Sequence, residues 1–452
     1  MALSTTYLLP VVYGSLFVNI PCHPLDVSFQ REAVSHCWSK TKPKLIFCDG
    51  NVYSVVKEVI EELRLKCEII TLNKHVQGVS KIDDLLTTKH IAEDTFLPLE
   101  IENHDQFSII LCSSGSTGLP KAVTISNSFC TEMCRLFFDT TEDIVFITVS
   151  VYGISGFIAI ISAGITGATN LVVSESFNPD TALHLIDKYK VTKTYWPPSN
   201  IALILNSPNI ETKSLKSLKV LYSSGAKFPI ELRSRIKQKL SPDCKIYYSY
   251  VLKWDCHLFY LLKQDWIHQD SKSLGFNEDG EIVFRNNNKW KGYYGDKAST
   301  DEVYDAVSGW FKTGDLGHFD EDRYLYVVDR KKEIFKSLAV HISPCEIEAI
   351  ILEIPEVADV CVVGCNKVQR YVTGKMPNYK HLTGGVYFID SLPKTPTGKV
   401  QRRLAREIVE KLYLESKGVV EALSSEDTRK RYKGYEKVND PMDLKVDLKV
   451  MC

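Results

Sequence analysis

One run of the chain has the composition of an anion site: Ser113-Ser114-Gly115-Ser116-Thr117-Gly118-Leu119-Pro120-Lys121. Four hydroxyls, two glycines and a lysine stand together with no carboxylate among them. Glycine lets a loop turn its backbone N–H groups toward an anion, and such nests hold phosphate. The hydroxyls add donors and the lysine a compact positive charge. The spacing is not that of the Walker loop, because Lys121 stands three residues after Gly118 and Ala122 follows it. The alternative is a flexible polar turn. A second turn of small residues, Ser223-Ser224-Gly225-Ala226, closes the run 217–222. Open α/β sheets bind their ligands at such C-terminal strand ends.

The elements that must position these turns follow from periodicity. Residues 107–112 read as a buried strand entering the first loop, and 122–125 as a second apolar run leaving it. Upstream, 44–48 is a short buried strand, 55–65 a helix with Val56, Ile60 and Leu63 on one face, and 68–72 the next strand. Downstream the alternation continues, with a helix from about Ser128, a strand at 144–149, a small-residue helix, a strand at 170–173 and a helix over 179–189. Residues 191–196 and 245–252 add strands. From Gly280 the pattern turns to β, with strands at 281–285, 309–312 and 324–328; Thr313-Gly314-Asp315 and Asp329-Arg330 close the last two.

Lys331-Lys332-Glu333 reads as a hinge. A smaller unit follows. Ser343-Pro344-Cys345-Glu346 has the form of a capping box with proline at the first helical position, strands are expected at 357–364 and 385–389, and the turn Pro396-Thr397-Gly398-Lys399 leads into a helix carrying Val400, Leu404, Ile408 and Leu412 on one face. The expected fold class is therefore α/β: a large N-terminal domain of packed α/β sheets plus a β-rich part (1–330), a hinge, a small α+β C-terminal domain (331–415), and a polar, disordered tail (416–452).

Length and composition suit a globular protein of several domains, with 452 residues, 44% hydrophobic and 25% charged. A net charge of −1 argues against nucleic acid or another polyanion as partner. Thirteen cysteines are scattered without a CxxC pair, which reads as reduced thiols inside a cell. Cys130 and Cys134, and Cys361 and Cys365, stand four apart with no histidine at ligand spacing, so the spacing predicts no metal site. The apolar run 7–18 lacks a basic leader and a clear cleavage site, so a signal peptide is not expected. No run reaches the ~18 apolar residues of a spanning helix; residues 153–169 come closest and read as a buried helix.

In order and spacing, the motifs 113–121, 313–315, 329–333, 343–348 and 396–399 resemble the adenylate-forming (AMP-binding) superfamily of acyl-CoA synthetases, and look closest to its insect luciferase-like and 4-coumarate–CoA-ligase-like branch. The resemblance covers nearly the whole chain. It implies ATP, Mg²⁺ and CoA as cofactors and a small carboxylic acid, a fatty acid in the first instance, as substrate. The acid attacks the α-phosphate of ATP, and the CoA thiol then attacks the acyl-adenylate. Residue by residue, it implies that Ser113, Ser114, Gly115, Ser116, Thr117, Gly118 and Lys121 cover the β- and γ-phosphates, with Thr117 near the metal. Gly225 and Ala226 would lie against adenine and Tyr250 beside the nucleotide. Asp315 would accept from the ribose hydroxyls, Arg330 would bind ribose or phosphate, and Lys399 would be the catalytic lysine. The small domain would rotate about Lys331 or its neighbour between half-reactions. The resemblance also implies an intracellular, peroxisomal location, although the chain ends Lys449-Val450-Met451-Cys452 rather than in a Ser-Lys-Leu-type signal.

The departures bear on activity. The family's Tyr-Gly-x-Thr-Glu, whose glutamate helps hold Mg²⁺, is replaced here by Tyr250-Val251-Leu252-Lys253-Trp254-Asp255: the glutamate is absent from its place, Lys253 puts a cation where a cation should bind, and Asp255, shorter and one position late, is the candidate substitute. Leu338-Ala339 departs from the family's Lys-Gly at the thioester-forming face, and Tyr152-Gly153 alters the acyl pocket. Family segments are absent before residue 1, after Asp255 and near Cys365. Two readings stand: a working acid–thiol ligase, and an impaired or shortened relative that binds nucleotide or acyl-CoA. Light emission needs a special pocket, for which nothing here argues.

Overall fold

The computed structural model describes the chain apart from residues 3–4, 88–94, 114–118, 136, 138, 149–151, 176, 227, 250–266, 270–271, 286–289, 334, 338–339, 352–356, 364–386, 390, 395–399, 417–447 and 452. Short apolar runs separated by amphipathic ones make parallel strands joined by helices. The central five-stranded sheet has the spatial order Lys245–Ser249, Val220–Ser224, Lys193–Tyr195, Ile144–Ile147, Thr169–Leu171. Every pairing in it is parallel. The chain starts at Ile144–Ile147, moves to one edge, then crosses back to build the other side. The topological switch point, where open sheets bind ligands, therefore lies between Ile144–Ile147 and Lys193–Tyr195.

Period-2 alternation divides the strand side chains between two cores. Tyr195 and Tyr222 face a cluster with Phe157, Ile158 and Ile161 of helix Ile154–Thr166 and Phe129 and Met133 of helix Asn127–Arg135. Phe146 and Leu221 face the other way, against Leu183, Ile186, Ile201 and Ile236 of the helices Pro179–Tyr189, Pro198–Asn206 and Ile230–Lys239. The small-residue run of the sequence is thus a core helix, ended by Gly167 in the left-handed conformation. Among the described residues no helix is long and apolar enough to cross a membrane. The N-terminal run folds as helix Leu8–Phe17 and packs on the same core, with Tyr13 donating to the Ile161 carbonyl at 2.8 Å.

A three-stranded parallel sheet, Leu45–Cys48, Glu68–Thr71 and Ser80–Lys81, is covered by helices Arg31–Thr41 and Tyr53–Leu63. The antiparallel hairpin Phe107–Cys112 with Ala122–Ser126 carries the serine–glycine loop at its tip. Beyond it, Gly280–Arg285, Trp310–Phe319 and Leu325–Arg330 form the backbone of a six-stranded sheet. The expectation of a strand ending at Lys312 is corrected: the strand runs on to Phe319, and Thr313-Gly314-Asp315 lies inside it. Past residue 331 come the hairpin Phe335–Ser337 with Val340–Ile342, helix Pro344–Ile351, and a small sheet packed with helix Arg402–Ser416. The tail expected to be disordered from 416 is not so at its end. Leu448–Met451 is the middle strand of that sheet, parallel to Val357–Cys361 and antiparallel to Tyr387–Ile389.

The five-stranded sheet holds a buried charge cluster. The Lys193 ammonium reaches Asp139 at 3.1 Å and Asp143 at 3.0 Å, with all three side chains under a tenth exposed. Burial opposes ionisation of Asp143, but bonds from Lys193, Thr192 and the Thr140 N–H outweigh it and hold its pKa down to about 2. Burial dominates at Asp139 and raises its pKa. Asp143 therefore contributes stability that is present above the ordinary carboxylate pKa and is lost as pH falls toward 2. Lys193→Met removes the buried cation from Asp139 and leaves Asp143 only the exposed Lys219 ammonium at 3.8 Å. It should lower unfolding free energy by ~3–5 kcal/mol, read as an earlier midpoint in urea; an unchanged midpoint at pH 7 would show that the cluster is not stabilising.

Candidate nucleotide site

The serine–glycine loop is closed at its stem by reciprocal bonds. The Ser113 N–H donates to the Lys121 carbonyl at 2.7 Å, and the Lys121 N–H donates to Ser113 Oγ at 3.0 Å. The Lys121 ammonium lies 5.0 Å from the centre of the Tyr293 ring, a cation–π contact that holds it beside the loop mouth. Tyr293 is steadied in turn by Trp290, edge to face at 5.1 Å. The tip itself, Ser114, Gly115, Ser116, Thr117 and Gly118, lies outside the described residues.

The second turn leaves the C-terminal end of strand Val220–Ser224. Gly225 has φ +93 and is exposed, and a Cβ built there would meet nothing within 4 Å. The space over its backbone is open, as a flat ring lying on a strip of main chain requires. The Ala226 carbonyl accepts from the Tyr248 hydroxyl at 3.0 Å, which ties the strip to the neighbouring strand. Beneath it, three in-register tyrosines cross the sheet: Tyr195 and Tyr222 stack at 6.3 Å, and Tyr222 and Tyr247 at 5.6 Å. The Tyr195 hydroxyl bonds Ser224 Oγ and reaches Ser155 Oγ at 3.1 Å. At the switch point Thr148 Oγ1 donates to the Tyr195 carbonyl at 3.0 Å, and Tyr152 is buried close by in the chain, its phenol pKa raised by desolvation. Tyr195, Tyr222 and Tyr247 were not singled out from sequence. A tyrosine in each of three successive parallel runs is the signal that points to them.

Asp315 and Arg330 are brought into direct contact. Between Val283 and Glu281 the partner strand advances from Lys312 to Leu316, so Thr313, Gly314 and Asp315 form a bulge. Gly314 takes φ +73, which only glycine adopts without strain. The bulge is pinned by Thr313 Oγ1 donating to the Ile282 carbonyl at 2.7 Å and accepting from the Asp315 N–H at 3.0 Å. Asp315 then stands opposite Arg330, whose Nε donates to Asp315 Oδ1 at 3.1 Å. The Asp315 side chain is 6% exposed and that of Arg330 43%.

The hinge is braced from both sides. The Lys331 N–H donates to the Gly314 carbonyl at 2.8 Å, and its ammonium pairs with Glu281 at 3.2 Å, both within the six-stranded sheet. Glu333 instead pairs with Arg402 at 2.7 Å, at the start of helix Arg402–Ser416. Arg402 also holds both oxygens of Glu348 and donates to the Val362 carbonyl at 2.8 Å. Burial opposes its charge, and the Glu348 carboxylate outweighs that and raises its pKa. The helix starts at Pro344, directly after Ser343, where the Ser343–Glu346 pattern predicts a start. Ser343 Oγ donates to Asp329 Oδ2 at 2.5 Å, and the same oxygen accepts from the Cys345 N–H at 3.2 Å, so a carboxylate from the strand before the hinge contacts the start of helix Pro344–Ile351. Lys399, Tyr250, Asp255, Leu338 and Ala339 lie outside the described residues.

Comparison with known proteins agrees with this geometry. The chain belongs to the AMP-binding enzyme family, whose model matches residues 3–252. A probable 4-coumarate–CoA ligase 1 of Dictyostelium discoideum is 28% identical over 453 residues, covering 87% of this chain and 82% of that protein. A luciferin 4-monooxygenase of Photuris pensylvanica is 25% identical, covering 90% and 83%. The solved anthranilate CoA ligase AuaEII, in complex with anthranoyl-AMP, shares the fold at TM-score 0.76 and 16% identity, over 90% of this chain and 86% of that one. The luciferase-like enzyme of the nonluminescent mealworm Zophobas morio aligns at TM-score 0.64 and 22% identity, over 74% and 83%.

Gly314→Ala forces a left-handed alanine into the bulge and should cost ~1–2 kcal/mol. Because Asp315 and the hinge contact shift with it, AMP affinity measured by calorimetry should fall as well. Asp315→Ala should weaken AMP by at least about tenfold, the loss of hydrogen bonds to a charged acceptor. Unchanged AMP affinity in Asp315→Ala would remove the carboxylate from the site.

Proposed function

We propose that this chain is an ATP-dependent acid–thiol ligase that activates an apolar carboxylic acid to its adenylate and passes the acyl group to CoA. The observation that carries the proposal is the Asp315–Arg330 pair on the bulge one residue before the hinge, in a chain of the AMP-binding family. Asp315 accepts from the ribose hydroxyls, and Arg330 binds ribose or phosphate. Ser113, Lys121 and the tip between them cover the β- and γ-phosphates. Adenine lies on Gly225 and Ala226, with Tyr250 beside the nucleotide. Lys399 bridges the substrate carboxylate and the α-phosphate, stabilising charge that grows in the transition state.

The hinge contacts give the motion a pivot. Lys331 is fastened to Glu281 and Glu333 to Arg402, so rotation that spares both ion pairs turns on Lys332. We take 1–330 as the large domain and 331–415 as the mobile one. Mg²⁺ and CoA are part of the proposal; Thr117 and Asp255 are the residues assigned to the metal.

For the acid, the resemblance points to fatty acids, whereas the relatives are named for coumarate, and solved neighbours for anthranilate and benzoate. A peroxisomal location is supported by the resemblance alone. One observation favours the second reading, a nucleotide-binding relative without catalysis: Lys253 and Asp255 replace the pattern that holds the metal.

ATP–pyrophosphate exchange with a panel of fatty, cinnamic and benzoic acids separates the readings. Exchange with at least one acid is expected, and Lys399→Ala should cut it by roughly 10²–10³ while AMP affinity stays. Absence of exchange with every acid, alongside intact AMP binding, would establish the non-catalytic reading. In an active chain, Asp255→Ala should weaken the Mg²⁺ dependence; an unaltered dependence would remove Asp255 from the metal.

A further inference from the structure

A cluster outside the nucleotide site joins three soft ligands from separate segments. Cys112 Sγ lies 3.4 Å from Cys37 Sγ and 3.4 Å from His23 Nε2, and the three atoms all fall within 4.8 Å of one another. Cys37 and Cys112 are buried thiols. No CxxC or Cys–His spacing announces the group, because its members are far apart in sequence.

The hydrogen bonds determine how the imidazole is presented. Thr41 Oγ1 donates its one proton to the Cys37 carbonyl at 3.1 Å. It must therefore accept from His23 Nδ1, 3.3 Å away, which places the ring proton on Nδ1. The Nε2 lone pair is then directed at Cys112 Sγ. A metal-bound histidine has this arrangement, its other ring nitrogen donating to a fixed acceptor.

We propose that His23, Cys37 and Cys112 bind a thiophilic d¹⁰ cation, Zn²⁺ or Cu⁺. Metal–sulfur bonds of about 2.3 Å and metal–nitrogen bonds of about 2.0 Å at tetrahedral angles set ligand atoms about 3.5–3.8 Å apart. The observed 3.4 Å separations are within a few tenths of an ångström of that. Soft thiolates with one imidazole select these ions over Mg²⁺, which takes oxygen ligands. Among the described residues the cluster has three ligands, which suits trigonal Cu⁺ or Zn²⁺ with water in the fourth position. Binding releases the two thiol protons to solvent. The scaffold is rigid: Cys22 bridges to Ile109, with its N–H on the Ser108 carbonyl at 2.9 Å, and Cys37 sits on helix Arg31–Thr41. Cys112 ends the strand that enters the serine–glycine loop, so the ion would tie that loop's stem to the helix.

The test uses the full chain, reduced and stripped with a chelator. Titration with Zn²⁺, and separately Cu⁺, against a chromophoric chelator should show one equivalent bound for at least one ion. Co²⁺ should give thiolate-to-metal charge-transfer absorption. Cys37→Ser and His23→Asn should each weaken binding by at least about tenfold, and Cys244→Ser should leave it unchanged. Should Cys37→Ser fail to fold, His23→Asn decides. Response to one ion alone identifies it. The proposal is overturned by no uptake of either ion or by uptake indifferent to both variants.

Discussion

The cross-strand register between Trp310–Phe319 and Leu325–Arg330 is the constraint on which the site depends. A bulge at Gly314 re-aims the strand and puts Asp315 directly opposite Arg330. The same Gly314 carbonyl then accepts from the Lys331 N–H, so the Asp315 bulge and the proposed hinge share one piece of backbone. A one-residue slip would turn Asp315 to the other face of the sheet, since side chains alternate along a strand. Strand pairing that looks like scaffold is therefore what makes the site.

The hinge illustrates how ion pairs divide labour. Each of Lys331 and Glu333 is held by a partner on its own side, Glu281 and Arg402. Between the two sides, Asp329 contacts the start of the next helix through Ser343 Oγ and the Cys345 N–H. The rotation we propose breaks the Asp329 contacts and spares both ion pairs. A carboxylate accepting charge-free donors is a modest tie of about 1–3 kcal/mol per bond, which a bound nucleotide or acyl group can offset.

Much of the architecture was legible in the chain. The β-α-β rhythm implied the parallel sheet because buried parallel strands are short, apolar and joined by helices. The two small-residue turns were visible because glycine and serine at strand ends have few other uses. The strand end at Lys312 was misplaced because glycine ordinarily closes a strand, and a bulge that continues beyond it depends on pairing with Gly280–Arg285. The helix start at Pro344 was legible in Ser343-Pro344, whereas the contact of Asp329 with Ser343 was not, because Asp329 lies in a separate strand. The terminal strand Leu448–Met451 was missed because its pairing lies entirely with distant segments.

By itself the sequence determined the class of chemistry: hydroxyls, glycines and lysine at 113–121, Asp315, Arg330 and Lys399 in order along one chain. Those are local choices of residue type, and residue type is what a sequence states directly. Only the tertiary structure decided which of them meet. Asp315 reaches Arg330 through strand register, the tyrosines of three strands align through parallel pairing, and His23 joins Cys37 and Cys112 through packing of a helix on a hairpin. Such contacts arise from long-range pairing, and no local spacing encodes them.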